Sequence, residues 1–153
     1  IPVRDVRWYP PHHMNDCNME TESAGTRVLI VDDHYIVRRG LTELLESGTR
    51  FTVGAVVGDA SQALEAARRT PFDLAIVDIS LGDMDGIELT RRLKCEHPDL
   101  IVLILSMHEE QLYADRARRA GASGFVAKQE AGETLLEAMA EVLQGRPHFH
   151  QKQ

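Results

Sequence analysis

Cysteine is scarce. Cys17 and Cys95 are the only two in 153 residues, too few for a disulfide framework and without the paired spacing of a zinc site. A reduced, cytoplasmic setting is the expectation. No apolar run approaches the ~18 residues that a membrane span needs, and the N-terminus has no apolar signal-peptide core, so no membrane contact is expected. Positive charge is also short, with 17 Lys+Arg against 24 Asp+Glu and a net charge of −7. A chain that binds nucleic acid with its whole surface is cationic, which excludes that class for these residues. No glycine-rich phosphate loop follows the first apolar run, which argues against a nucleotide-binding domain. What is present is enough apolar material for a core, 43% of the residues, in a length that suits one domain.

Residues 1–26 carry Trp8-Tyr9-Pro10-Pro11 and His12-His13 but no period of 2 or 3.6, and read as a flexible leader or tag remnant. The texture changes at Arg27. Val28–Val31, Val53–Val57, Leu74–Val77, Ile101–Leu105 and Gly124–Ala127 are short apolar runs without polar alternation, the mark of strands covered on both faces. Helical stripes lie between them. Val37, Leu41, Leu44 and Leu45 form one, closed by Gly48, and Leu135, Met139, Val142 and Leu143 form the last, closed by Gly145 and Pro147. Shorter stripes hold Ala63, Leu64 and Ala67, then Leu89 and Leu93; residues 109–120 read as a charged, solvated helix. Five strand–helix units over residues 27–145 predict an α/β domain with a five-stranded parallel sheet and helices on both faces. Residues 146–153, with His148 and His150, read as the start of a linker.

In such sheets ligands sit beyond the carboxyl ends of the strands. Four of the five runs end there in reactive residues: Asp32-Asp33, Asp78, Ser106 and Lys128. Three carboxylates in one pocket repel, so either one takes a proton or a cation joins them. A hard divalent ion such as Mg2+ suits that donor set. With a metal and an ammonium to neutralise the oxygens, a carboxylate can attack a phosphoryl group. Each residue also has a plainer reading: Asp33 and Ser106 each precede a helix and can serve as its cap.

The runs Val28-Leu29-Ile30-Val31-Asp32-Asp33-His34, Asp73-Leu74-Ala75-Ile76-Val77-Asp78, Met84-Asp85-Gly86, Ile104-Leu105-Ser106 and Gly121-Ala122-Ser123-Gly124-Phe125-Val126-Ala127-Lys128 resemble, in order and spacing, the receiver domain of bacterial two-component response regulators. Ser106-Met107-His108-Glu109-Glu110 and the run Arg118-Arg119-Ala120-Gly121-Ala122 look most like the NarL/FixJ group, whose output is a LuxR-type helix-turn-helix. The resemblance implies a flavodoxin-like strand order of 2-1-3-4-5. It implies that Asp78 is the phosphoacceptor for a sensor histidine kinase, in a reaction that uses Mg2+. Asp33 would ligate the ion directly, Asp32 through water, and Ser80 through its backbone carbonyl, with Asp78 itself completing the set. Ser106 matches the switch hydroxyl, Lys128 the lysine that pairs with the phosphoryl group, and Phe125 the switch aromatic, which on the residues alone is a core side chain.

The pattern departs from the family in two places. The loop after Asp78 lacks proline and holds Gly82, which predicts a softer loop, and Gln129 rather than proline follows Lys128. Ser80 and His108 stand where the family tunes dephosphorylation. The expected function is a phosphoacceptor that turns over no external substrate and controls a DNA-binding domain absent from this chain, with homodimerisation on phosphorylation as a further expectation. A stand-alone receiver acting through protein contacts is the alternative. A haloacid-dehalogenase-like phosphohydrolase fits less well, because Ser80 stands where that class needs a second acid.

Overall fold

The computed structural model describes residues 7–8, 25–107, 111–130 and 132–149. Each apolar run is a strand, because a segment buried on both faces satisfies its backbone only by pairing. In chain order, β1 (Arg7–Trp8) and β2 (Thr26–Val31) lead to α1 (Tyr35–Leu45). Next come β3 (Phe51–Val57), α2 (Ala60–Arg69), β4 (Leu74–Asp78) and α3 (Gly86–Glu96). Then β5 (Ile101–Ser106), α4 (Gln111–Ala120) and β6 (Gly124–Ala127) precede a 3-10 turn at Lys128–Glu130, α5 (Glu133–Leu143) and β7 (His148–Phe149).

The sheet runs β1-β3-β2-β4-β5-β6-β7. The five expected strands therefore stand in the expected order, parallel throughout. The sheet is wider than five strands at both edges. β1 pairs antiparallel with β3 (Arg7 opposite Val56), and β7 pairs parallel with β6 (Phe149 opposite Phe125). Both are two-residue segments, too short to show any periodicity, and they fill the open hydrogen-bonding edges of β3 and β6. Each lies in a stretch that reads as leader or linker. Tyr9, His12, His13, Cys17, His108 and His150 lie outside the described residues.

Alternate side chains of the central strands feed two cores. Leu29, Val31, Ala75, Val77, Val102 and Ile104 pack with α2, α3 and α4 through residues such as Ala63, Leu89 and Ala117. Val28, Ile30, Leu74, Ile76, Leu103 and Leu105 pack with α1 and α5 through Leu41, Leu45, Leu135 and Met139. This period of two, with apolar residues at every step, is why the runs read as continuous rather than alternating.

Capping sets where α2 and α3 begin. Asp59 Oδ1 accepts from Gln62 N at 2.8 Å, and Asp85 Oδ1 accepts from Ile87 N at 2.6 Å. The start of α3 lies against the end of β4, and Gly86 permits the approach: a Cβ there would stand 2.2 Å from the Asp78 carbonyl oxygen and 2.7 Å from Ile79 Cα. Neither obstacle is a side chain that can swing away. Gly86→Ala is expected to cost about 1–3 kcal/mol by overpacking, read as a lowered denaturation midpoint in urea. A variant as stable as the parent would show that the α3 start yields freely.

Candidate functional site

The carboxyl ends of β2, β4, β5 and β6 lie side by side, at the point where the strand order reverses between β2 and β4. Asp32 and Asp78 are each 1% exposed, and Lys128 crosses to both: Nζ is 2.9 Å from Asp32 Oδ2 and 3.2 Å from Asp78 Oδ1. Lys128 reaches them from the first residue beyond β6, its side chain 8% exposed. Asp33, with a half-exposed side chain, stands at the mouth. Asp33 is not the cap of α1: that position is His34, which makes no side-chain cap bond. Asp32 Oδ1 instead accepts from His34 N at 2.8 Å and shapes the turn out of β2.

The backbone holds Asp78 from one side, with Ser80 N donating to Oδ1 at 3.2 Å. Oδ2 of Asp78 is buried without a hydrogen bond, and Asp32 Oδ2 faces the ammonium without a directed one. Burial first and the charge of Asp32 second push the Asp78 carboxyl up to about 6; Lys128 and the Ser80 amide pull it the other way. Two buried acids, one with an oxygen that has no hydrogen bond, and a third acid at the mouth make a cluster of hard donors that could hold a cation.

Ser106 is fully buried at the end of β5, opposite Ala127 and one residue beyond the partner of Asp78. Phe125 is 4% exposed and sits in the core layer that also holds Ala114 and Ala117 of α4. Its ring therefore lies inside, as the plain core reading requires. Sequence reasoning missed three residues. His34 Nδ1 lies 3.1 Å from Asp32 Oδ1, 3.0 Å from Asp33 Oδ1 and 4.0 Å from Asp78 Oδ2. The buried Arg38 of α1 donates from Nη1 to the Asp32 carbonyl at 2.7 Å, bracing the acidic turn. Asp83 accepts from Ala60 N and Ser61 N at 3.0 and 3.1 Å, so the loop after Asp78 is tied to the start of α2. Only His34 had a local signal, its place directly after the acid pair.

No helix among the described residues is long and apolar enough to cross a membrane. The model of the response regulator receiver domain matches residues 28–140. Over 135 residues the chain is 32% identical to the transcriptional regulatory protein DegU of Brevibacillus brevis, covering 88% of this chain and 57% of that protein. Over 123 residues it is 42% identical to the DNA-binding transcriptional activator DevR/DosR of Mycobacterium tuberculosis, covering 78% of this chain and 55% of that one. A solved LuxR-family two-component response regulator from Aurantimonas sp. SI85-9A1 superposes with a TM-score of 0.77 at 35% identity, over 82% of this chain and 89% of that one. The chain spans a little over half the length of the curated relatives it matches. With the acidic pocket on the switch point of a parallel sheet and the family's motifs across it, the chain belongs to the response regulator receiver domain family and is a receiver domain of the two-component type.

Proposed function

We propose that Asp78 accepts a phosphoryl group from the phosphohistidine of a sensor histidine kinase, and that Asp32, Asp33, Asp78 and the Ser80 carbonyl hold the Mg2+ this transfer uses. The observation that carries the reading is the buried Asp78 carboxylate, with an ammonium on one oxygen and no hydrogen bond on the other. A carboxylate oxygen attacks phosphorus, the P–N bond to the kinase imidazole breaks, and an acyl phosphate remains on Asp78. The cation, when bound, neutralises charge on the phosphoryl oxygens. Lys128 supplies the second positive charge from its place between Asp32 and Asp78. The Ser80 amide fixes the carboxylate rotamer, and Gly86 lets α3 close under it. Nothing in this chemistry turns over an external substrate; the product stays on the protein until water removes it.

The output follows from the same charge. An added phosphoryl group offers acceptor oxygens that draw in the Ser106 hydroxyl and Lys128, and the loop after β5 and α4 shift with them, Phe125 moving in concert with that loop. The two curated relatives named above are transcriptional regulators about one and a half times this length, and the proposed readout is a DNA-binding domain carried by the remaining part, with homodimerisation on phosphorylation. The test is a mass measurement after incubation with acetyl phosphate, with and without Mg2+. The protein is expected to gain one phosphoryl group only with Mg2+, and Asp78→Asn none. An equal gain in the variant would remove Asp78 from the reaction.

A further inference from the structure

The acidic pocket contains a donor that the carboxylate scheme leaves unused. We propose that His34 is a nitrogen ligand of the cation site, so that the pocket takes borderline transition ions such as Co2+ in preference to what an all-oxygen set would bind. This rests on the reading of the carboxylates as a cation site. Nδ1 of His34 and one oxygen each of Asp32, Asp33 and Asp78 lie within 4.8 Å of one another. Bonds of about 2.1 Å around one six-coordinate ion put neighbouring donors about 3.0 Å apart and opposite donors about 4.2 Å apart. The observed separations from Nδ1 are 3.1 and 3.0 Å to Asp32 and Asp33, and 4.0 Å to Asp78. The imidazole thus stands at hydrogen-bond distance from Asp32 and Asp33, separations that neighbouring ligands of one ion would also have, and near the opposite-ligand separation from Asp78.

A second observation concerns the acid farthest from the imidazole. Asp78 is 1% exposed, and its Oδ2, the oxygen nearest the imidazole, is buried without a hydrogen bond. The imidazole makes no cap bond to α1; its polar contacts are with the acids of the pocket. Oxygen-only sites suit Mg2+, whereas an imidazole favours later first-row ions. His34 is also 60% exposed, which leaves room for the retained waters that either ion keeps.

The test compares the parent with His34→Ala, whose solvent-facing side chain can be removed without opening the core. The Co2+ that excess Mg2+ displaces reports the shared site, separately from Co2+ held by histidines elsewhere. Affinity for that Co2+, by calorimetry, is expected to fall about tenfold in the variant while Mg2+ affinity changes less than about threefold. Hyperfine-shifted imidazole proton resonances of the Co2+ form are expected to disappear with His34. Loss of both ions by one common factor, or no change in either, would overturn the nitrogen ligand. A parent that binds no Mg2+-displaceable Co2+ would instead refute the cation site itself.

Discussion

Replacing Asp78 with Asn is expected to make the fold more stable, by about 1–2 kcal/mol near pH 8, while abolishing phosphoryl incorporation. The parent carries a carboxylate whose proton affinity is raised from 3.8 to about 6, because it is buried and faces Asp32. A folded-state value above the unfolded one means that the native protein binds the extra proton. The stability that proton gives is complete below about pH 4 and is lost as pH rises through 6. A shift of that size corresponds to about 3 kcal/mol in a closed site. Solvent at the mouth, where Asp33 and His34 are exposed, screens it to about half. Asn has the shape of the protonated acid and escapes the cost. Urea denaturation in EDTA is the measurement, and the gap between variant and parent should be constant above pH 7 and narrow steadily from pH 6 toward pH 4. A parent equal to the variant at pH 8 would mean that the pocket solvates Asp78 fully. The site is thus stabilised by removing its reactive group, as expected where chemistry and not folding sets the residue.

Most of this pocket was legible because its residues terminate apolar strands. Asp32, Asp78 and Lys128 follow runs buried on both faces, and a polar residue there has nowhere to go but the crevice beyond the sheet. The two-layer core followed from the same runs, and the strand order from the resemblance to receiver domains. The edge strands were not legible. Arg7–Trp8 and His148–Phe149 have two residues each, and their pairing depends on where the edges of β3 and β6 lie in space. His34 was hidden for a different reason: its one local signal, the acid pair just before it, points to no site until Asp78 is placed beside it. Asp83 looks like any loop acid, since its partners Ala60 and Ser61 sit 23 and 22 positions away and bond through backbone amides that no sequence motif marks. The competing cap reading of Asp33 was settled by one residue of register, because His34 takes the cap position.

Lys128→Met is expected to produce the largest loss of stability of any single change in the pocket, about 3–5 kcal/mol near neutral pH without divalent ions. The ammonium lies within ion-pairing distance of both buried acids. Methionine fills the volume of the stem, so the loss reports charge rather than a cavity. Two further measurements separate this from general damage. Mg2+ should return a substantial part of the lost stability to the variant, since an ion that binds only the folded state stabilises it by mass action. Asp78→Asn should stabilise the Lys128→Met protein by more than it stabilises the parent, because the ammonium in the parent already offsets part of the repulsion between Asp32 and Asp78. Equal effects in the two backgrounds would mean that Lys128 and Asp78 do not sense each other's charge. A positive coupling would instead place the ammonium in the role that a phosphoryl oxygen next requires of it: a fixed positive charge already desolvated beside the attacking carboxylate, needing little rearrangement when the negative charge arrives.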